Sequence, residues 1–331
     1  MTMRISYRAS IGLLAGALLA LAPSARAAEA DKYLPEQAAF ASFTNVRQIV
    51  DSPLVKKHAL EKLRDKLKEN DEITKVLESL GFDPFKDLNT FVGAGSSFDP
   101  DGKAFLIAHG NFDAKKFEDK AEEEAKNHGD ILKVHKQGDH KVYEVKPPDS
   151  GDDKPIFVAV VDKGTIVASN DKDYVVDCFA VAAGSKTFTV KKELKELLDK
   201  VDAKQSWWFV MPGTVLNKGP VAQLAQQDDK AKKILEKIES VALGITIEKD
   251  FKLTLGVGSK NAENAKELAE DLKDKFNDGK QFLIFFASQN KQLEPLVDAV
   301  NATKIGAEGN SVALKFELSE EVIEKALKHD K

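Results

Sequence analysis

The sequence predicts an α+β protein made of two related halves, each an antiparallel sheet with helices packed on it. Three observations lead to this class. Short apolar segments come in pairs on either side of turn residues, as in β-hairpins. Charged amphipathic stretches of helical length separate these pairs. The order of strand pairs and helical stretches is the same in the two parts of the chain. Of the 331 residues, 42% are hydrophobic and 31% charged, which suffices for a core and excludes a multi-pass membrane protein.

The first 27 residues have the pattern of a secretory signal peptide. Arg4 and Arg8 form a basic start, residues 11–21 are apolar but short for a bilayer, and Ala25 and Ala27 match a small-residue cleavage site. We expect cleavage after Ala27, export to the periplasm or the extracellular space, and no integral membrane segment after cleavage. An uncleaved membrane anchor is the alternative.

The charge of the mature chain bears on its partners. Cleavage removes Arg4, Arg8 and Arg26 and no acid, so the formal net charge changes from -5 to -8. Nucleic acids and anionic membrane surfaces are bound through clustered lysine and arginine. We therefore expect no nucleic-acid partner.

The predicted elements of each half follow in the same order. In the first half they are strands at residues 38–44, 90–97 and 103–110 and a helix at 113–127. In the second half they are strands at residues 206–211, 241–248 and 251–258 and a helix at 262–277. The predicted halves are residues 28–184 and 185–331.

A hairpin follows the helix in each half, and we match residues 131–146 with residues 303–317. Gly138-Asp139 and Gly309-Asn310 suit tight two-residue turns, because glycine accepts positive φ without steric cost. A closing helix comes next, at residues 171–182 in the first half and 319–328 in the second. The strand pair at residues 156–169 is then an insertion in the first half.

The first of these hairpins carries the two closest histidines. With Gly138-Asp139 as the turn, Lys133 faces Glu144, and His135 and His140 lie diagonally on one face. Two imidazoles could share a metal ion, but a zinc site needs three or four protein ligands. We expect surface histidines, with a weak metal site at His135 and His140 as the alternative.

Two aromatic segments are candidates for ligand binding. Trp207 and Trp208 point to opposite sides of a strand, which predicts cover on both faces, unless one ring stays open as a stacking platform. Residues 282–287 are continuously apolar and predict core, or alternatively the wall of an apolar pocket through Phe282, Phe285 and Phe286.

Catalytic signatures are absent from the sequence. It contains no G-x-S-x-G, H-E-x-x-H, Walker or C-x-x-C motif, and its one cysteine, Cys178, lies on an apolar stretch without a cationic or basic neighbour. We expect a buried thiol, no disulfide and no cofactor. Catalysis by scattered residues is a third possibility after the two binding functions below.

Several turns and strand starts resemble a family of exported bacterial proteins catalogued only as domains of unknown function. The likeness spans most of the mature chain and lies at residues 34–35, 43–46, 52–53, 81–88, 309–312 and 316–318. The resemblance implies a duplicated α+β fold in the cell envelope and assigns no catalytic residues.

These features favour a non-enzymatic envelope protein that binds another macromolecule through its sheet or a helical surface. The alternative is a carrier of a small apolar ligand, whose site would be lined by Trp207, Trp208, Phe282, Phe285 and Phe286. A hydrolase without a recognisable motif comes third.

Overall fold

All strands in the described residues belong to one antiparallel sheet of twelve strands. The computed structural model describes residues 30–146, 154–290 and 293–328. The predicted signal peptide, residues 1–27, lies outside these ranges. The strands are β1 Phe40–Asn45, β2 Leu88–Gly95, β3 Ala104–Gly110, β4 Leu132–Gln137, β5 His140–Val145, β6 Ile156–Asp162, β7 Thr165–Ser169, β8 Trp207–Pro212, β9 Ile238–Ile247, β10 Phe251–Ser259, β11 Lys304–Glu308 and β12 Ser311–Leu318.

Helices lie between β1 and β2, β3 and β4, β7 and β8, β8 and β9, β10 and β11, and after β12, so the predicted α+β class with an antiparallel sheet is confirmed. In the first half they are α1 Val46–Asp51, α2 Pro53–His58, α3 Leu60–Lys68, α4 Asp71–Leu80, α5 Pro84–Asp87, α6 Ala114–Asn127 and α7 Lys172–Ala182. In the second half they are α8 Lys192–Leu198, α9 Gly213–Leu216, α10 Pro220–Ala225, α11 Asp229–Lys237, α12 Ala262–Gln289, α13 Glu294–Asn301 and α14 Glu320–Lys328.

Short polar side chains fix where many helices begin. A side-chain oxygen just before the helix accepts a hydrogen bond from a backbone N–H of the first turn, which would otherwise lack a partner. The residues that do this are Asn45, Ser52, Asp83, Asp113, Asp171, Asp228 and Asn261.

The two halves join at the centre of the sheet through their leading strands. The strand order is β11-β12-β10-β9-β8-β1-β2-β3-β7-β6-β5-β4, and β1 pairs with β8. In that pair Phe43 lies opposite Trp208 and Ala41 opposite Val210. The halves therefore share one continuous hydrogen-bonded sheet.

One face of this sheet carries the main core and is called here the closed face. Direct cross-strand partners share a face, so the register places Val92, Ile107, Val167 and Trp208 on it together. All four are buried, and α7 and α8 cover them with apolar side chains. The core of the molecule lies between this face and those two helices.

The opposite face is called here the open face. Trp207, Phe209 and Phe91 lie on it and are half-buried, while Leu106 is exposed over 39% of its surface. Towards the second edge, α12 covers part of this face through a small cluster around Leu268 and Val312. Trp207, Phe209, Phe91 and Leu106 are thus less protected from water than the core residues of the closed face, whereas Val312 and Leu314, also on the open face, are buried.

The order of strands in the sheet shows which hairpins of the two halves occupy matching places. Beside β3 lies β7, with Ile107 opposite Val167, and the same place beside β10 belongs to β12, with Val257 opposite Val312. Strands β6 and β7 therefore match β11 and β12, and the matching of residues 131–146 with 303–317 is wrong. The hairpin β4–β5 is the added piece, which extends the first half beyond β6.

Helix α12 is longer than the sequence predicts. We expect it to end near Asn277, ahead of Gly279, but it continues without a break to Gln289. A glycine inside a helix costs only about 0.5–1 kcal/mol relative to alanine, which neighbouring turns can offset. The apolar residues 282–287 consequently form the last turns of a helix of 28 residues.

Candidate functional site

Three phenylalanine rings project into solvent from the last turns of α12. We call Phe282, Phe285 and Phe286 the aromatic surface. Phe282, Phe285 and Phe286 are exposed over 69%, 59% and 54% of their surface. Their i, i+3 and i+4 spacing places them on one side of the helix. Ala287, on an adjacent side, is buried, and α12 packs against α13. The expectation that residues 282–287 are core is wrong for the three phenylalanines, because the side chains of α12 that pack against β12, Ala265, Leu268 and Ala269, lie in its first turns.

The two tryptophans have different surroundings. Trp208 is 6% exposed on the closed face, and its ring stacks on Phe43 with centroids 5.6 Å apart. Trp207 is half-buried on the open face, with Thr44 and Ile245 as its cross-strand neighbours. Of the two, Trp207 is the ring that a ligand could reach.

The structure does not bring the tryptophans and the phenylalanines into one site. Ring contacts join Phe285 to Phe286 and Trp208 to Phe43, and none in the described ranges joins one group to the other. Helix α12 packs on β10, β11 and β12, and β9 separates these strands from β8. The tryptophans of β8 and the phenylalanines of α12 are therefore separate from each other.

The histidine hairpin has the predicted register, with Lys133 opposite Glu144 and Gln137 opposite His140. His135 Nε2 lies 2.7 Å from a Glu144 oxygen, and this hydrogen bond holds the pKa of Glu144 below its usual range. The His140 ring stacks on Phe179, with centroids 4.2 Å apart. Each imidazole thus has its own partner, and the two do not converge with an acid on one point.

A polar chain that sequence reasoning missed lies where the N-terminal segment meets the sheet. His109 Nε2 is 2.6 Å from an Asp31 oxygen, and His109 Nδ1 is 3.1 Å from Thr165 Oγ1. The order acid, imidazole, hydroxyl matches that of a catalytic triad. However, Thr165 is only 3% exposed, so a substrate could not reach its hydroxyl in this conformation. The chain instead ties the segment at Asp31 to β3 and β7.

Tyr33 strengthens the same attachment. Its hydroxyl donates a 2.8 Å hydrogen bond to Asp162, and its ring is buried. Burial raises the pKa of Tyr33, and the Asp162 carboxylate adds to that rise. Burial alone would also raise the pKa of Asp162, but hydrogen bonds from Gly164 N–H and from Tyr33 outweigh it and lower the pKa. Tyr33 and Asp162 are 129 positions apart in the chain, so no local motif could have identified their pairing.

A cluster that could hold a cation joins α2 to α14. Ligand atoms of His58, Glu320 and Glu324 lie within 4.8 Å of one another. The ammonium group of Lys57 contacts both carboxylates, at 2.7 Å from Glu320 and closer still to Glu324. Lys57 already supplies the positive charge at this cluster. The cluster is therefore an ion-pair network that links α2 to α14.

Cys178 has the surroundings that the sequence predicts. It is fully buried in α7, and burial raises the pKa of its thiol to about 12. A nucleophilic cysteine needs a lowered pKa and access to substrate. Cys178 therefore belongs to the core.

Comparisons with known proteins identify a fold but no family. No family model matches the chain, and no curated protein sequence matches it. Crystal form III of TP0453 is similar in structure, with a TM-score of 0.50 and 11% sequence identity over 92% of this chain and 99% of that one. Crystal form IV of TP0453 gives a TM-score of 0.47 and 10% identity over 91% and 97%. At such identities the likeness concerns the fold alone.

None of the described helices combines the length and the apolar character needed to span a membrane. The 28 residues of α12 would be long enough, but acidic and basic side chains occupy most of its first half. The continuously apolar run of α12, residues 282–287, lies in its last turns, where the aromatic surface is.

Proposed function

We propose that the protein is an exported, non-enzymatic binding protein of the cell envelope, and that it binds a macromolecular partner through the aromatic surface. The observation that carries this proposal is the exposure of Phe282, Phe285 and Phe286 on one side of α12. Large apolar side chains grouped on a surface usually mark an interaction site. Aromatic rings are also enriched among the residues that dominate binding energy.

The size of the surface indicates its role in an interface. With about 200 Å² for each phenylalanine side chain, the three exposed fractions amount to roughly 350 Å². A stable interface takes about 800 Å² from each partner. The aromatic surface is therefore the apolar centre of a larger contact, and pairing two copies through these rings alone would bury too little.

A photo-crosslinking experiment tests this proposal. A photoreactive phenylalanine analogue is placed at Phe285 of the full chain in an exporting host, and at Lys275 of the same helix as a control. We expect an adduct of one discrete mass from position 285, none from position 275, and its loss when Phe282→Ser and Phe286→Ser are added. The absence of an adduct at 285, or the same adduct from both positions, would contradict the proposal.

A second candidate function is transport of a small apolar ligand, and the open face of the sheet favours it. Trp207 and Phe209 are half-buried there on β8, and the exposed Leu106 lies on the same face three strands away, on β3. Native mass spectrometry of residues 28–331 tests this function. A carrier should show an excess mass that is lost on denaturation and reduced by Trp207→Ala. A mass equal to the bare chain or to whole multiples of it would exclude a tightly held ligand.

A further inference from the structure

A cavity of about 480 Å³ opens at the junction of the two halves, and we call it the junction cavity. The turn between β2 and β3 forms one side, and the start of α8 with the α9 region forms the other. Its volume lies in the range of small-molecule sites, roughly 300–1,000 Å³. Such sites are found preferentially where two structural units meet.

The apolar wall of the junction cavity contains a ring that is held in place. Phe98 is 41% exposed, and it stacks on Phe40 with centroids 4.3 Å apart and planes within 6°. Phe40 in turn lies 5.9 Å from Phe209. A flat apolar group could therefore stack on Phe98 without first ordering that side chain.

Lysine side chains from two separate elements line the junction cavity. Lys191, Lys192 and Lys218 all contribute to the lining. Lys192 lies 3.7 Å from Glu196, whereas Lys191 and Lys218 have no carboxylate within 4.0 Å in the described parts of the chain. Two ammonium groups from separate elements are thus available to an anion.

Acidic groups near the cavity only partly balance these lysines. The Glu193 carboxylate accepts a 3.0 Å hydrogen bond from Thr214, and Asp99 lies in the β2–β3 turn. An adjoining depression shares Lys191 and contains Glu36 and Asp101, of which Asp101 pairs with Lys154 at 2.6 Å. Three lysines and two acids line the junction cavity, and since Lys192 is paired with Glu196, Lys191 and Lys218 are the lysines that an anion could bind.

We propose that the junction cavity binds a small organic anion with a flat apolar ring, of the class of aromatic carboxylates. The ring would stack on Phe98, and the carboxylate would pair with Lys191 and Lys218. Lys191 and Lys218 are exposed, so dissolved salt should screen this charge pairing. This site does not include the aromatic surface of α12, so it is independent of macromolecular binding through that surface.

Calorimetric titration of the mature chain, residues 28–331, with 1-naphthoate tests the proposal. The control ligand is 1-naphthylmethylammonium, which has a similar shape and the opposite charge. We expect saturable binding of one naphthoate per chain, weakened by added salt, and at least tenfold weaker binding of the ammonium compound. No saturable binding of naphthoate, or equal binding of both compounds, would overturn the proposal.

Variants locate the binding within the molecule. Lys191→Gln with Lys218→Gln should weaken naphthoate binding at least tenfold. The matched control, Lys163→Gln with Lys266→Gln, changes two exposed lysines elsewhere and should leave binding unchanged. Phe98→Leu keeps an apolar side chain but removes the ring, and it should also weaken binding. Unchanged affinity in the first pair, or an equal loss in the control pair, would show that the anion binds elsewhere.

Discussion

Phe43 and Trp208 face each other across β1 and β8, with their rings stacked at a centroid distance of 5.6 Å. Phe43 belongs to the leading strand of the first half and Trp208 to that of the second. The pair lies on the closed face, where Val92 and Val210 are also buried. Side-chain packing thus reinforces the backbone pairing that joins the halves.

Removal of the Trp208 ring should destabilise the whole protein. Trp208→Ala leaves a cavity in the closed-face core, and we expect it to lower the free energy of unfolding by about 3–5 kcal/mol. Trp207→Ala should cost less, because its ring is half-buried on the open face. Urea denaturation followed by circular dichroism measures both. Equal losses in the two variants would contradict the difference between the two faces.

The phenylalanines of the aromatic surface should contribute little to stability. Phe285→Ser removes a ring that is 59% exposed, so we expect a change in the free energy of unfolding within about 0.5–1 kcal/mol. Phe105→Ala, which removes a fully buried ring, should cost about 3–5 kcal/mol. A comparable loss in Phe285→Ser would mean that the aromatic surface packs within the fold.

Local pattern was sufficient to predict parts of this structure. The register of β4 with β5 follows from the Gly138-Asp139 turn, because a two-residue loop fixes which residues face each other. The α+β class and the antiparallel hairpins follow from the same kind of signal. Pairing of β1 with β8 was not predicted, because the strands are far apart in sequence and any central strand can form such hydrogen bonds.

The exposure of the aromatic surface and the pairing of Asp31 with His109 could not be predicted from the sequence, because both depend on tertiary structure. The run at residues 282–287 predicts core by composition, yet whether it is covered depends on which turns of α12 pack against the sheet. The pairing of Asp31 with His109 likewise joins residues 78 positions apart. Sequence periodicity carries no information on either point.

Two glycines offer a test of the backbone conformations. Neither Gly138 nor Gly279 has an atom within 4 Å of the position that a Cβ would take. Gly138 has a φ of 60°, so Gly138→Ala should destabilise the protein by roughly 1–2 kcal/mol. Gly279 is inside α12, so Gly279→Ala should stabilise it by about 0.5–1 kcal/mol. Thermal or urea unfolding decides the sign of each, and a destabilising Gly279→Ala would argue against a continuous α12.

The attachment of the N-terminal segment should weaken in acid. The pKa of Asp162 is lowered in the folded state, so its contribution is present above the ordinary carboxyl pKa of about 3.9 and is lost as the pH falls through the lowered value. We expect the stability difference between the protein and Asp162→Asn to shrink as the pH falls from 6 towards 3. Asp139→Asn, at an exposed turn, serves as the control. A pH-independent difference for Asp162→Asn would contradict the linkage.

Cys178 should react with thiol reagents only when the protein unfolds. Its side chain is buried, and a pKa of about 12 leaves almost no thiolate at neutral pH, which is the reactive form. We expect the native protein to remain largely unlabelled by a disulfide reagent during an incubation that labels the urea-unfolded chain completely. Lys163→Cys, which adds an exposed thiol, should be labelled rapidly in the native state at one site per chain. Rapid labelling of Cys178 in the native protein would mean that α7 leaves the sheet on the timescale of the reaction.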